Sequence, residues 1–148
     1  MNSTAASIIA LAGALAGAMV ASAVVLVAGQ QAAPAPVFTT EQAIAGRAVY
    51  AKQCASCHMP DLSGNMEYPP LAGTAFIAAW GTRSTKDFYD YMSAAMPYGA
   101  PSLSADEYAA ITAYVLQSNG AVAGADALSA STAVRISSVT PLPKNPSP

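Results

Sequence analysis

Charged side chains are scarce in this chain of 148 residues, and basic ones are scarcer than acidic ones, with six Lys and Arg against eight Asp and Glu. The first basic residue is Arg47. Between positions 38 and 126, four basic residues stand against eight acidic ones. A domain that binds nucleic acid presents a clustered basic face. The composition therefore argues against a nucleic-acid partner and leaves protein partners open.

Histidine and cysteine are almost absent. The chain has one histidine and two cysteines, and all three fall within residues 54–58. A structural zinc site needs further Cys or His ligands beyond these three residues, and a Ser/His/Asp catalytic set needs a histidine of its own. The sequence has the residues for neither site. Segments that alternate with period two are also few, which disfavours the strand–helix–strand setting of a dithiol oxidoreductase.

What the chain does have is the pentapeptide Cys54-Ala-Ser-Cys57-His58. In the pattern C-x-x-C-H, the two thiols each form a thioether with a vinyl group of haem, and the histidine that follows is held beneath the iron. The motif predicts one haem c, bound covalently through Cys54 and Cys57, with His58 as an iron ligand. Alternatives for the cysteine pair alone are a redox dithiol, half of a zinc site or a small disulfide. Haem attachment predicts a protein that moves electrons.

A charge-free apolar run, Ile8–Gly29, precedes the first basic residue. Its length reaches the ~20 residues that cross a membrane, but its many Ala, Gly and Ser residues make it weakly hydrophobic. A secretory signal has a basic start, which is missing here, although small-residue cleavage sites occur at 21–23 and 27–29. We expect residues 1–33 to be a signal peptide or an N-terminal membrane anchor, followed by a linker at 34–38. Both alternatives export the rest of the chain.

Two helices are predicted from capping patterns. Thr39 with Gln42 reads as a capping box and opens a helix over residues 39–53, which leads directly into the cysteine cluster. A second capping box opens a helix over residues 104–118, and Asn119-Gly120 is a fitting end for it.

A third helix is predicted between them. Ser84 caps it, and it should stop before Met96-Pro97, because proline disfavours helix in the preceding residue. Residues 66–73 read as an extended loop. We therefore expect an all-α domain over residues 39–120, with residues 121–148 as a C-terminal extension that is partly disordered or wraps a partner or the domain.

Several motifs occur together in the order of a known family. They are Gly46-x-x-x-Tyr50 before the cysteine cluster, Pro69-Pro-Leu71-Ala-Gly73, Met96-Pro97, and a last helix that ends Ala113-Tyr114-Val-Leu116. Over roughly residues 40–120 this order and spacing resemble class I cytochrome c. The resemblance implies a small helical shell around haem c, in which Gly46 lets the first helix cross the last one closely.

The resemblance also implies ligand and support residues. It places Pro69 and Leu71 beside the cofactor, with the Pro69 carbonyl accepting the Nδ1 proton of His58. Since the chain has one histidine, methionine is the natural sixth iron ligand, and the family places it at Met96. The alternatives are Met92, whose position in the predicted third helix is more typical of core packing, and an iron with an open position.

A finer similarity concerns cytochrome c subunits or domains associated with quinoprotein (PQQ-dependent) alcohol dehydrogenases. It rests on the run from Met59 to Thr74, on Phe76 and Trp80, and on the end of the last helix up to Gly120. The common family pattern has glycine where Met59 stands. We expect a periplasmic electron carrier, soluble or tethered by its N-terminal segment, that takes electrons from a dehydrogenase and passes them to an oxidase or another cytochrome. The alternatives are a haem-based sensor, a peroxidase-like enzyme, or a fixed subunit of a respiratory complex.

Overall fold

The structure, a computed structural model, describes residues 35–141. Its helices are α1 Thr40–Gln53, α2 Ala55–His58, α3 Gly73–Trp80, α4 Thr85–Ala95, α5 Ala105–Ser118 and α6 Ile136–Val139. Over this range no strand forms and a single isolated bridge joins Ser84 and Arg135. The predicted all-α class is confirmed. The predicted leader at 1–33 lies outside the described residues, and within them no helix is long and apolar enough to cross a membrane.

The starts of α4 and α5 match the predicted capping patterns. Ser84 accepts a hydrogen bond from the N–H of Asp87 and donates its own N–H to the Asp87 carboxylate. Ser104 and Glu107 form the same reciprocal pair at α5. Both boxes satisfy N–H groups that an isolated helix end leaves without partners.

The predicted capping box at α1 is only half present. The Thr39 hydroxyl accepts from the N–H of Gln42 at 3.2 Å. The Gln42 amide turns away instead, donating to the Leu128 carbonyl at 2.7 Å and accepting from the Leu128 N–H at 2.8 Å. The reciprocal box was a wrong prediction because two hydrogen bonds to a residue 86 positions along the chain compete with one local bond.

The core forms where α1 crosses α5. A Cβ atom at Gly46 would lie 1.8 Å from the Ala110 carbonyl oxygen, so only glycine allows this approach. The rings of Tyr50 and Tyr114 meet beside the crossing at a tilt of 56°, with centroids 5.3 Å apart. The largest fully buried side chains include Phe38, Tyr50, Phe76, Phe88, Ile111, Val115, Leu116 and Ile136. The close crossing places the cysteine cluster, at the end of α1, against the core.

Helix α3 carries no capping signal in the sequence and was not predicted. Its first N–H, from Gly73, donates to the Asn119 Oδ1 atom at 2.9 Å, and the Asn119 Nδ2 atom donates to the Leu71 carbonyl at 2.9 Å. A side chain 46 residues away thus caps this helix. Phe76 then anchors it in the core, where its ring meets that of Phe88 edge-on.

Residues 121–141, which we call the C-terminal strap, pack against the helices. Leu128, Ile136 and Val139 are buried, and the Gly124 N–H donates to the Phe38 carbonyl at 2.8 Å. These residues wrap the domain, although their apolar residues are spaced too irregularly to show as a periodic pattern in the sequence. The predicted linker also contributes to the core, since Phe38 is fully buried. Residues 142–148 lie outside the described residues.

Candidate haem-binding site

Helix α1 delivers the cysteine cluster as one short turn. The helix ends at Gln53, and α2 follows immediately, with the N–H groups of Cys57 and His58 both donating to the Cys54 carbonyl at 3.1 and 2.9 Å. Both thiols are free and half-buried, and His58 is buried. The turn thus presents two thiols and an imidazole as one group without a disulfide.

The imidazole of His58 is held in one tautomer. Its Nδ1 atom lies 2.9 Å from the Pro69 carbonyl oxygen. Because a carbonyl oxygen only accepts hydrogen bonds, the proton must sit on Nδ1 and the lone pair on Nε2. A metal takes a neutral imidazole through that lone pair, and a carbonyl partner on the other nitrogen orients the ring and raises its basicity.

The loop that carries Pro69 is closed by backbone hydrogen bonds. The Gly64 N–H donates to the His58 carbonyl at 3.1 Å, and the Leu71 N–H donates to the Leu62 carbonyl at 2.9 Å. Gly64 has φ +62°, and a Cβ there would approach the Pro69 carbonyl carbon at 2.7 Å. Leu71 is half-buried and packs against the core at the end of this loop. The loop therefore brings Pro69 back next to His58, where the loop begins.

Tyr50 braces the same turn from within α1. Its hydroxyl donates to the Met59 carbonyl at 2.7 Å and lies 3.2 Å from the His58 carbonyl. Burial, with a smaller contribution from the thiolate form of Cys54, raises the pKa of Tyr50 above its usual range, so the phenol keeps its proton. Tyr50 was part of the sequence motif, but its role as a donor was not predicted from the sequence.

Met59 has a backbone conformation that side chains rarely adopt. Its φ and ψ are 64° and 151°, a region that is essentially restricted to glycine and costs about 1–3 kcal/mol for other residues. This is the position where the common family pattern has glycine. The hydrogen bond from Tyr50 to the Met59 carbonyl helps to hold this strained turn.

The two candidate methionines lie in different surroundings. Met92 is within α4 and only 7% exposed, in contact with the core. Met96 follows the helix as its C-cap and is half-buried, with its N–H donating to the Met92 carbonyl at 2.8 Å. Its own carbonyl accepts from the Tyr108 hydroxyl. Met92 thus packs in the core, and Met96 starts the loop between α4 and α5.

The alternative readings of the cysteine pair find little support. Burial, and next the nearby Cys57, raise the pKa of the Cys54 thiol to about 11, whereas a redox dithiol needs a lowered pKa. Among residues 35–141, no cluster of three or more His, Cys, Asp or Glu side chains could hold a metal ion. Two free thiols beside an imidazole with an available Nε2 fit haem c.

Comparisons with known proteins give one family and one solved structure. The family model described as cytochrome c oxidase, cbb3-type, subunit III matches residues 41–115, just over half of the chain. No curated protein matches significantly. The sulfane dehydrogenase SoxCD from Paracoccus pantotrophus is similar at 30% identity and a TM-score of 0.48, over 66% of this chain and 50% of that chain. The present chain thus spans about half the length of the solved one.

Proposed function

The chain belongs to the family of cytochrome c oxidase, cbb3-type, subunit III, and we propose that this class I c-type cytochrome carries electrons from a dehydrogenase to a terminal oxidase outside the cytoplasmic membrane. Family membership confirms the predicted covalent haem c, for which Cys54 and Cys57 have the required spacing. Electron transfer follows from that class. The donor, the acceptor and the compartment are the parts that we propose.

The observation that carries the proposal is the hydrogen bond between His58 Nδ1 and the Pro69 carbonyl, next to two free thiols on the same turn. Haem c supplies an iron that accepts and releases one electron at a time. Cys54 and Cys57 would hold the group through thioethers, and His58 would bind the iron through its Nε2 lone pair. The hydrogen bond to Pro69 would keep that imidazole in a single tautomer.

On the other side, we propose the sulfur of Met96 as the sixth ligand. A thioether is a soft donor that favours reduced iron, so it raises the reduction potential. Met96 is the C-cap of α4 and is only half-buried. The buried Met92 is part of the core instead. Occupation of both axial positions suits an electron carrier, because no position remains open for a substrate or a gas.

The first experiment tests attachment and ligation together. Protein produced in a host with haem c maturation machinery should keep one haem through denaturation and acid-organic extraction, because thioethers survive both. Its spectrum should show six-coordinate low-spin iron in both oxidation states. Haem lost to the organic phase would exclude covalent attachment. Rapid binding of carbon monoxide by the reduced wild type would favour a sensor or a peroxidase-like enzyme.

The donor is tested by stopped-flow mixing. The sequence similarity suggests a quinoprotein alcohol dehydrogenase, so the oxidised cytochrome is mixed with that enzyme and an alcohol, and haem reduction is followed by absorbance. A quinoprotein dehydrogenase for another substrate class serves as the control. Equal slow reduction by both enzymes would contradict the proposed donor, while the role as an electron carrier would stand.

A fixed subunit of an oxidase complex is the second candidate, and the name of the matched family favours it. Affinity purification of the tagged cytochrome from native membranes separates the two candidates. A freely exchanging carrier should elute alone at physiological ionic strength. A stoichiometric oxidase in the eluate would replace the carrier by the subunit.

The N-terminal segment Ile8–Gly29 is proposed to export the domain. Residues 34–148 expressed behind an unrelated signal sequence should give a soluble red protein, because the core described here begins at Val37 and Phe38. An insoluble product that recovers only with the native leader would make that segment part of the fold.

A further inference from the structure

Met96 receives a hydrogen bond from a second helix. The hydroxyl of Tyr108, on α5, donates to the Met96 carbonyl oxygen. Tyr108 is only 4% exposed, and Met96 is the C-cap that follows α4. The bond therefore ties the end of one helix to the interior of the next, at the residue proposed as the sixth ligand.

The backbone of Met96 is held from two directions. Its N–H donates to the Met92 carbonyl at 2.8 Å, within its own helix, while its carbonyl is held by Tyr108. Its φ and ψ are −127° and 146°, the extended region to which a following proline confines a residue. The N–H and the carbonyl of Met96 are therefore both fixed by hydrogen bonds.

A second buried tyrosine gives a natural comparison. Tyr89, on α4, meets the ring of Tyr108 edge-on with centroids 6.3 Å apart. Its hydroxyl donates to the Ala105 carbonyl at 3.4 Å, at the start of α5. Both tyrosines link α4 and α5 through a hydroxyl and a backbone carbonyl. The Tyr89 hydroxyl bonds the start of α5, whereas that of Tyr108 bonds Met96.

We propose that Tyr108 is the positioning residue for Met96, and that its hydroxyl sets the fraction of molecules in which the methionine sulfur is bound to iron. The inference rests on the proposed role of Met96 as a ligand. In this proposal, the start of the loop moves away from α5 when the sulfur detaches. That movement breaks the bond from Tyr108 and leaves a buried hydroxyl without its acceptor. The hydrogen bond therefore stabilises the ligated state relative to the detached one.

The test is Tyr108→Phe in the holoprotein, with Tyr89→Phe as the matched control. Loss of a buried hydrogen bond should raise the detached fraction about tenfold. Since an external ligand binds only the detached state, the apparent affinity of ferric protein for imidazole should rise by about the same factor. The red-region charge-transfer band of ferric iron bound to methionine sulfur should weaken. Tyr89→Phe should lower stability without changing the affinity for imidazole.

The outcomes separate this inference from the proposed function. If Tyr108→Phe binds imidazole like the wild type while Met96→Ala opens the iron, Met96 is the ligand and Tyr108 does not position it. An equal rise in both tyrosine variants would likewise overturn the inference, because general loosening of α4 and α5 would explain it. If Met96→Ala leaves ligation unchanged, the proposed ligand is wrong and the inference falls with it.

A measurement that leaves Tyr108 unchanged covers the case in which Tyr108→Phe does not fold. In the reduced, diamagnetic protein, the Tyr108 hydroxyl proton should exchange slowly with solvent, and its signal is followed by NMR. In reduced Met96→Ala with carbon monoxide bound, which is also diamagnetic, no sulfur binds the iron and this exchange should be faster. Equal exchange rates in the two proteins would contradict the coupling between Tyr108 and Met96.

Discussion

The His58 side of the site and the Met96 side differ in how far along the chain their contacts reach. On the His58 side, the hydrogen bonds join residues that are 8 to 11 positions apart: Tyr50 with His58 and Met59, and His58 with Pro69. Met96 is held by Tyr108 from the next helix, 12 residues on. The other end of α4 depends on residues 47 to 49 positions away. The His58 side is thus supported by nearby residues, whereas α4, which leads to Met96, also depends on a distant segment of the chain.

The distant support of α4 is the C-terminal strap. Thr85, fully buried at the first turn of α4, donates its hydroxyl to the Thr132 carbonyl and accepts from the Val134 N–H at 3.1 Å. Its own N–H donates to the Val134 carbonyl at 2.8 Å. Helix α4 is therefore held by the strap at one end and by Tyr108 at the other, which makes the Met96 side the more sensitive to distant changes.

The largest expected effect on stability comes from replacing Gly46, which lies where α1 crosses α5. Helix α1 leads to His58, and α5 carries Tyr108. In Gly46→Val, side-chain atoms would overlap the Ala110 carbonyl group. The helix crossing that supports both the His58 side and the Met96 side should therefore be disrupted, with a destabilisation of about 4 kcal/mol or more. Urea unfolding and the yield of holoprotein measure it. Gly99→Ala is the control, since no heavy atom lies within 4 Å of that Cβ and its only cost is the φ of +80°. Equal losses in both variants would contradict a special role for the crossing.

Replacing each of the two methionines by alanine, one at a time, separates iron ligation from core packing. Met96→Ala should abolish the charge-transfer band, lower the reduction potential and admit cyanide, with the haem still attached on the His58 side. Met92→Ala should keep the band but lose about 2–5 kcal/mol of unfolding free energy through a cavity. Absorbance, potentiometry and urea unfolding give the readouts. A band that persists in Met96→Ala and disappears in Met92→Ala would reverse the assignment.

The strap is tested by Thr85→Val, which keeps the shape of the side chain but removes two hydrogen bonds. We expect a loss of about 1–3 kcal/mol, because a buried N–H and a carbonyl lose their partner. The affinity of the iron for imidazole on the Met96 side should rise, while the covalent attachment of haem on the His58 side should not change. Thr112→Val, equally buried but bonded only within α5 to the Tyr108 carbonyl, is the control. Identical imidazole affinities for both variants would mean that the strap does not support Met96.

Met59→Gly should strengthen the His58 side. Glycine removes the strain of a φ of 64° with a ψ of 151°, which outweighs the greater entropy of the unfolded chain, so the free energy of unfolding should rise by about 1 kcal/mol. Leu62→Gly is the contrast: its φ is also 64°, but Leu62 is 3% exposed, and lost burial should make that variant less stable. Chemical denaturation of the two holoproteins decides the signs. A destabilised Met59→Gly protein would show that the strained turn is held by side-chain contacts of Met59.

The smallest effect concerns acid and the capping boxes of the two helices on the Met96 side. Hydrogen bonds from Ser84 and Ser104 lower the pKa values of Asp87 and Glu107. A lowered folded-state pKa gives stability that is present above the unfolded pKa of about 4 and is lost as the pH falls through the folded value. Urea unfolding of wild type and of Asp87→Asn with Glu107→Gln should therefore differ at neutral pH and converge in acid. Parallel curves at all pH values would contradict a contribution from the ionised carboxylates.

Some parts of the fold were predicted from the sequence because their signals are local. The starts of α4 and α5 follow from serine caps three residues before an acidic side chain, and the end of α4 follows from Pro97. The prediction failed at Gln42, whose amide binds Leu128 instead of closing its own helix. It also missed α3, whose first N–H is capped by Asn119. In both failures the deciding partner is more than 40 residues away, where no spacing rule applies.

The sequence by itself determined the chemistry of the protein, because the two thiols and the imidazole that hold haem c are neighbours on one turn and their order carries the signal. It also determined the all-α class, because helix caps and the proline that ends a helix act on residues no more than four positions away. Only the tertiary structure decided that Tyr108 bonds to Met96 and that the C-terminal strap bonds to Thr85. These contacts depend on which surfaces pack against each other, and the free energy that selects them comes from burying the whole core at once.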